Sequence, residues 1–440
     1  MTKIQHLLGK NARNRIYLCL NKKRGRKIAD SKLLTKELLK KHSLPHPELY
    51  AVFEKSEELF AFQWEKLLGN FVVKPSRGLG GGGILVVKKK AKWAGEWYLM
   101  DGSKIDISQL RLHVLDIFAG RFSLLNLPDK AFVEERIKIH PIFKKYTYQG
   151  TPDVRVIVFN QVPVMAMLRL PTAESRGKAN LHQGAVGVGI DLATGITTYG
   201  FHHGQRIKRV PGTKNKINGL KLPFWEETLA LAVKVQGIVP RLGFAGVDII
   251  LDKEKGPMVL ELNARPGLDI QNANLAPLRR RLERVEGLEV KGAEKGVKIA
   301  QDLFAERFAD KVLAQKGTEI VDVLEEIKVR DASKKKVPVW AKIDTGALRS
   351  SIDRRLAEEL GLLTPENTIF TRYYQSALGK RKERKVISLT FYLKGRKIKT
   401  NASVTNRAHL SAPFLVGIRD LAGFLVRPGP MEAARFRRFR

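Results

Sequence analysis

The chain has 440 residues, 43% of them hydrophobic, which suffices to bury two or three cores and excludes a small scaffold held together by staples. Its single cysteine, Cys19, excludes an intrachain disulfide framework and a Cys-cluster zinc site and fits a reducing, cytoplasmic setting, and no stretch approaches the ~20 apolar residues of a membrane helix. With 80 Lys and Arg against 44 Asp and Glu, the net charge is +36; the excess lies on both sides of residue 318, which favours non-specific anion binding over a dedicated nucleic-acid tail.

In chain order, residues 28–42 (IADSKLLTKELLKKH) place leucines at helical spacing, and Pro45 and Pro47 end that helix. A strand from Phe71 to Lys74 runs into PSRGLGGGG and emerges as a second strand, ILVVKKK. The glycines formally match GxGxxG, but that fingerprint requires a helix after them, so a Rossmann assignment fails. Strand, glycine loop and strand instead form a flexible hairpin whose N–H groups can close over phosphates. Strands are expected at Ala131–Ile137, Val154–Asn160 and Val162–Leu170, and a helix at Glu226–Val239. Two more helices are expected at Leu278–Arg284 and Gly296–Phe308.

The stretch from Asp248 to Gly267 carries one carboxylate on an apolar run, a DKEKG turn, and a second run with Glu261 and Asn263 two residues apart. Alternate residues of a strand share a face, so Glu261 and Asn263 point the same way, opposite Asp248. Glu261 sits inside MVLEL, where an unpaired charge is costly. Three hard oxygen ligands so placed suit Mg²⁺ on nucleotide phosphates.

These hairpins together resemble the ATP-grasp superfamily, most closely the RimK-type and alpha-L-glutamate ligase-related enzymes, over residues 28–310. The resemblance implies an α+β ATP-grasp fold followed by a small mainly-β domain, with ATP and two Mg²⁺ ions, or Mn²⁺ in their place, as cofactors. It places Lys32 on the opening helix at a phosphate, Lys74 on the strand, and Gly80, Gly81 and Gly82 in the loop. VEERI resembles the adenine-reading hinge around Glu135 and Ile137; PDVRV puts Asp153 at the ribose with Arg155 beside it. GKANLHQGAVG resembles the family's RSNLHRGG and sets Lys178 and Asn180 at the nucleotide, and GVDII with LELNARPG supplies metal ligands Asp248, Glu261 and Asn263. Arg169 and Arg265 are candidates for holding the carboxylate or its acyl phosphate, since a guanidinium suits bidentate recognition. The implied activity joins a carboxylate to an amine, with glutamate as the amino acid its relatives suggest and a peptide or protein, acidic ones included, as acceptor. Residues 1–27 stand where such relatives carry a full α/β domain, and KIHPIFKKYTYQGTP is inserted at the hinge.

A new strand-rich pattern starts at Glu319 after a linker expected at 311–318, and it includes one helix at Asp353–Leu360. WAKIDTGALRSS resembles the active-site turn of retropepsin-like aspartic proteases, in particular the RimB-like group, over residues 319–428. Two aspartates sharing a proton activate water in that chemistry, and this chain holds one DTG, so Asp344 would need its counterpart from a second copy in a homodimer. The alternative for Asp344 is a helix N-cap or turn aspartate. The nine histidines form no HExxH, and His202 and His203, adjacent on a strand, are expected to face opposite sides as surface or anion-contacting residues. Two further readings stay open: a non-catalytic, nucleotide-regulated binder of an acidic polymer, and an active ligase whose C-terminal domain serves only for dimerisation.

Overall fold

In the computed structural model of the protein, the helix expected over residues 28–42 is two helices, Lys23–Ala29 and Lys32–Lys41. Ser31 separates them: its backbone is extended and its hydroxyl accepts from the N–H of Leu34 at 3.4 Å, capping the second helix. Leucine periodicity does not register that break, because it comes from a serine competing for backbone N–H groups. The structure describes residues 7–67, 69–78, 80–304, 319–375 and 381–427. The linker expected at 311–318 falls outside them. The chain divides into two units, Met1–Val297 and Lys298–Arg440.

The first unit holds two antiparallel sheets. The six-stranded sheet runs Leu49–Phe53, Ala131–Glu135, Phe71–Pro75, Leu85–Lys90, Glu96–Leu99, Lys104–Asp106. Phe53, Trp64, Phe71, Trp97 and Val114 form its core, with the helix Ile107–Phe118 packed on it. The glycine segment joins two antiparallel strands of this sheet, with Val72 opposite Val86. That is the strand–loop–strand arrangement the sequence predicts.

The seven-stranded sheet runs Gln205–Ile207, Thr197–His202, Val186–Ile190, Val162–Leu170, Asp153–Phe159, Phe244–Asp252, Gly256–Asn263. Its central strands are buried on both faces; Val154, Val156, Ile157 and Val158 are all fully enclosed. The helix Trp225–Ile238 buries Leu229, Ala232, Val233 and Val235.

The second unit is a closed barrel. Six strands pair in the order Leu324–Arg330, Lys336–Asp344, Phe414–Gly417, Ser351–Asp353, Arg396–Thr405, Arg381–Leu393, and the last returns to the first through Lys328 opposite Tyr392. A seventh strand of the sheet, Thr368–Gln375, pairs with Arg381–Leu393 alone. Ile327, Val329, Phe391, Phe414 and Val416 fill the interior. No helix among the described residues is long and apolar enough to cross a membrane.

Candidate active site

Strand register builds the site's floor. Asp248 lies opposite Glu261 on one side and opposite Arg155 on the other, while Asp153, two residues from Arg155, lies opposite Arg169. Asn263 follows two residues after Glu261, so all six side chains emerge from one face of the seven-stranded sheet.

Asp248 is wholly buried and accepts from Arg155 Nε at 2.7 Å, Arg155 Nη2 at 2.6 Å and Arg169 Nη2 at 2.6 Å. Burial opposes its ionisation, but the two guanidiniums outweigh that cost and hold its pKa below the usual carboxylate range. Arg169 also grips both oxygens of Asp153, at 2.6 and 2.7 Å. Burial dominates at Asp153 and pushes its pKa up, Arg169 pulling the other way. With both oxygens engaged, Asp153 anchors Arg169, and a ribose hydroxyl would compete with the guanidinium for it.

Glu261 and Asn263 stand on the open side of this floor. Glu261 is 31% exposed and lies 3.6 Å from Lys32 Nζ. Lys32 Nζ also donates to the Gly78 carbonyl at 3.2 Å, so one ammonium ties the carboxylate hairpin to the glycine loop. Asn263 Oδ1 accepts from the Arg265 N–H at 2.8 Å, and the Arg265 side chain is exposed. An oxygen-only donor set on one face fits Mg²⁺, with Glu261 and Asn263 accessible and Asp248 behind them.

The glycine loop closes the site from the other sheet. Gly80, Gly81 and Gly82 make its turn, with φ of +60° at Gly80 and +78° at Gly81. The Gly80 carbonyl accepts from Gln183 Nε2 at 3.2 Å and Asn180 Nδ2 at 3.5 Å, and the Lys178 stem lies against Gly81. At Gly83 (φ +71°) a Cβ would meet the Phe122 ring at 2.7 Å, so only glycine fits without displacing the aromatic. Leu79 lies outside the described residues.

Lys74 is buried and ion-paired to Glu134, whose other oxygen lies 2.6 Å from Lys36 Nζ. Burial disfavours the charge on Glu134, yet the two ammoniums overcome it and lower its pKa. Sequence reasoning missed Glu134 and Lys36. The signals were present: Lys36 is one helical turn after Lys32 on the same face, and in AFVEER one of two adjacent acids must point inward on a buried strand. The expected hinge residues lie at and just beyond the end of the interior strand Ala131–Glu135. Glu135 pairs with Lys255 at 2.5 Å, and Ile137 packs with Ile250 and Met258 beside Leu260, an apolar patch that the motif reading overlooked.

In the second unit Asp344 ends its strand, pairs in register with Gly417, and accepts through Oδ1 from the N–H groups of Gly346 (2.9 Å) and Ala347 (3.1 Å). A Cβ at Gly417 would lie 2.4 Å from the Arg349 backbone, so glycine lets the closing strand sit against the DTG turn. The helix Arg354–Glu359 is capped by Asp353, not by Asp344.

The profile of sugar-transfer associated ATP-grasp proteins matches residues 11–287, more than half of the chain. The chain belongs to that family. An aspartyl protease profile matches this ATP-grasp protein again at residues 327–418. Among solved structures it is similar, at 17% identity and a TM-score of 0.31, to the ATP-grasp ligase PsnB complexed with a minimal precursor, over 60% of this chain and 62% of that one. It thus spans under two thirds of PsnB. It is also similar to a D-alanine–D-alanine ligase from Bacillus anthracis complexed with ATP, at 16% identity and a TM-score of 0.33, over 60% of this chain and 71% of that one. A third likeness, at 17% identity and a TM-score of 0.17, is to the Legionella pneumophila protein Lpg0085 of unknown function, covering 25% of this chain and 93% of that one. No curated protein matches this chain. ATP-grasp proteins generally bind ATP and Mg²⁺.

The structure corrects one expectation outright. His202 and His203 do not face opposite sides: both reach Glu174, because the strand ends at His202 and His203 enters a turn.

Proposed function

We propose that the first unit joins a carboxylate to an amine at the expense of ATP, through an acyl phosphate. The observation that carries this reading is Lys32, which bridges Glu261 on the carboxylate hairpin and the Gly78 carbonyl of the glycine loop. A phosphoryl group held beneath that loop would lie beside Glu261 and Asn263. A substrate carboxylate oxygen attacks the γ-phosphorus and ADP leaves; the amine then attacks the acyl carbon, phosphate departs, and the amine loses a proton. Lys32, Lys74, Lys178 and Asn180 hold phosphoryl oxygens, while Glu134 and Lys36 fix Lys74. Arg169 and Arg265 would orient the carboxylate. Two bound Mg²⁺ ions, or Mn²⁺, would neutralise charge on the β- and γ-phosphoryl oxygens, held by Glu261, Asn263 and Asp248.

In this proposal the amine substrate is an amino acid such as glutamate and the acceptor a peptide or protein carboxylate, as in RimK-type enzymes. The match to a family associated with sugar transfer favours a second reading, in which an amino sugar or a sugar acid is one of the two substrates. An ADP-release screen over amino acids, acidic peptides, amino sugars and uronic acids, with mass spectrometry of products, tests both. ADP release that no amine or carboxylate stimulates would refute ligation. For the second unit we propose a retropepsin-like peptidase site, two copies contributing Asp344 across a two-fold axis. The support is the DTG turn braced by Gly417.

A further inference from the structure

The hairpin of Thr197–His202 and Gln205–Ile207 turns through His203 and Gly204, at φ +46° and +76°. Two left-handed residues in a two-residue loop are the type I′ geometry. That turn swings His203 out of strand alternation, and its ring centroid stands 4.2 Å from that of His202. His203 Nε2 lies 2.6 Å from Glu174 Oε1. His202 Nε2 lies 3.5 Å from Glu174 Oε2 and 3.0 Å from the Gly184 carbonyl. A ligand atom from each of the three residues falls within 4.8 Å of the others, the one such His, Cys, Asp or Glu group among the described residues.

We propose that Glu174, His202 and His203 bind a divalent transition ion of the Zn²⁺ type, which fastens the loop carrying Lys178 and Asn180. Two imidazoles and one carboxylate are a zinc ligand set, whereas Mg²⁺ takes oxygens; this site and the Glu261–Asn263 face therefore select different ions. Bonds of 2.0–2.1 Å in a tetrahedron separate ligand atoms by ~3.3 Å; the three ligand atoms here lie within 4.8 Å of one another, so small side-chain shifts bring them to that spacing. The ion takes the place of the Nε2 hydrogens that now link His203 to Glu174 and His202 to the Gly184 carbonyl, and each ring binds neutral with its proton on Nδ1. His203 and Glu174 are 53% and 55% exposed, which leaves the fourth position to water.

Location gives the ion its consequence. Glu174 opens the loop and Gly184 closes it, the Gly184 carbonyl already accepting from Thr172 Oγ1 at 2.7 Å. Within that span Lys178 packs on Gly81 and Asn180 reaches Gly80. Fastening its base to the hairpin restricts the arm that meets the glycine loop.

The test uses the full chain, stripped with a chelator, without nucleotide, titrated with Zn²⁺ in competition with a chromophoric chelator. One tight ion per chain is expected. Glu174→Gln, which keeps a hydrogen-bonding partner for His203, and His203→Asn, which tolerates the left-handed turn, should each weaken binding by about a hundredfold or more. His42→Ala, an exposed histidine elsewhere, should leave it unchanged. Hydrogen exchange over residues 174–184 should slow with Zn²⁺ in the parent and in neither variant. Equal melting temperatures in chelator establish that the variants fold. Failure to bind one ion, or binding that survives both substitutions, overturns the site; binding without slowed exchange overturns the fastening.

Discussion

Arg155 grips Asp248 through both carboxylate oxygens, at 2.7 and 2.6 Å, from the neighbouring strand on which the two residues are register partners. Arg169 adds a third contact to the same carboxylate and clamps Asp153 as well. The hairpin that presents Glu261 and Asn263 is therefore seated on a buried network of two acids and two guanidiniums. Such a network is costly to break from one side, because a charge is left without its partner.

Arg155→Met should accordingly destabilise the first unit by about 3 kcal/mol, since Asp248 keeps only Arg169. Urea unfolding at neutral pH measures it. A loss within the scatter of surface substitutions would mean that Arg169 alone satisfies Asp248.

Glu261→Ala should lower metal-dependent ATP turnover by at least about a hundredfold while stability changes little, because Glu261 is part-exposed and its nearest cation is 3.6 Å away. Coupled ADP-release kinetics read this. Undiminished turnover in a folded variant would remove the carboxylate hairpin from the chemistry.

Glu134 gives a pH signature. Burial raises its pKa, Lys74 and Lys36 outweigh burial, and the net value in the folded chain lies below the ordinary 4.5. A carboxylate depressed in this way stabilises the fold above its unfolded pKa, and the contribution disappears as pH falls through the folded one. Glu134→Gln should therefore cost about 3 kcal/mol at pH 7, two buried ammoniums losing their counter-charge. The gap from the parent should narrow as pH falls below ~4.5. Denaturant midpoints across that range check it, and a constant gap would contradict the assigned ionisation.

The glycine loop should behave as a lid whose closed form bound phosphate favours. Hydrogen exchange at residues 78–83 should slow on adding ATP and Mg²⁺, and NAD should not substitute. Gly83→Ala forces a Cβ toward Phe122 at positive φ and should weaken nucleotide binding by about tenfold, the equivalent of ~1–2 kcal/mol of strain. Equal exchange with and without nucleotide would count against a lid.

Asp344→Asn should abolish any peptidase activity and leave ATP turnover intact. If two copies pair their turns, the dyad titrates in two steps and cleavage follows the pH range of the shared proton. A strictly monomeric chain that still cleaves peptides, seen by sedimentation with a peptide assay, would exclude the two-fold site.

Local pattern alone determined much of this protein. The strand–glycine–strand hairpin, the alternation that puts Glu261 and Asn263 on one face, and the DTG turn at a strand end are short-range features. A period of two or a run of glycines dictates them whatever lies around. The same holds for Val162–Leu170, whose bounds coincide with the observed strand.

What only the tertiary structure decided is which charges meet. Asp153 and Asp248 are 95 residues apart in sequence, yet Arg169 binds both because the strand order sets Phe244–Asp252 beside Asp153–Phe159. Lys36 and Glu134 pair between a helix and a strand, and the His202–His203 pair depends on the I′ turn and on Glu174 arriving from another loop. No residue spacing encodes these meetings. Register between distant strands is set by burying the apolar faces on both sides, and the polar groups carried on those strands then find whichever opposite charge that packing brings near.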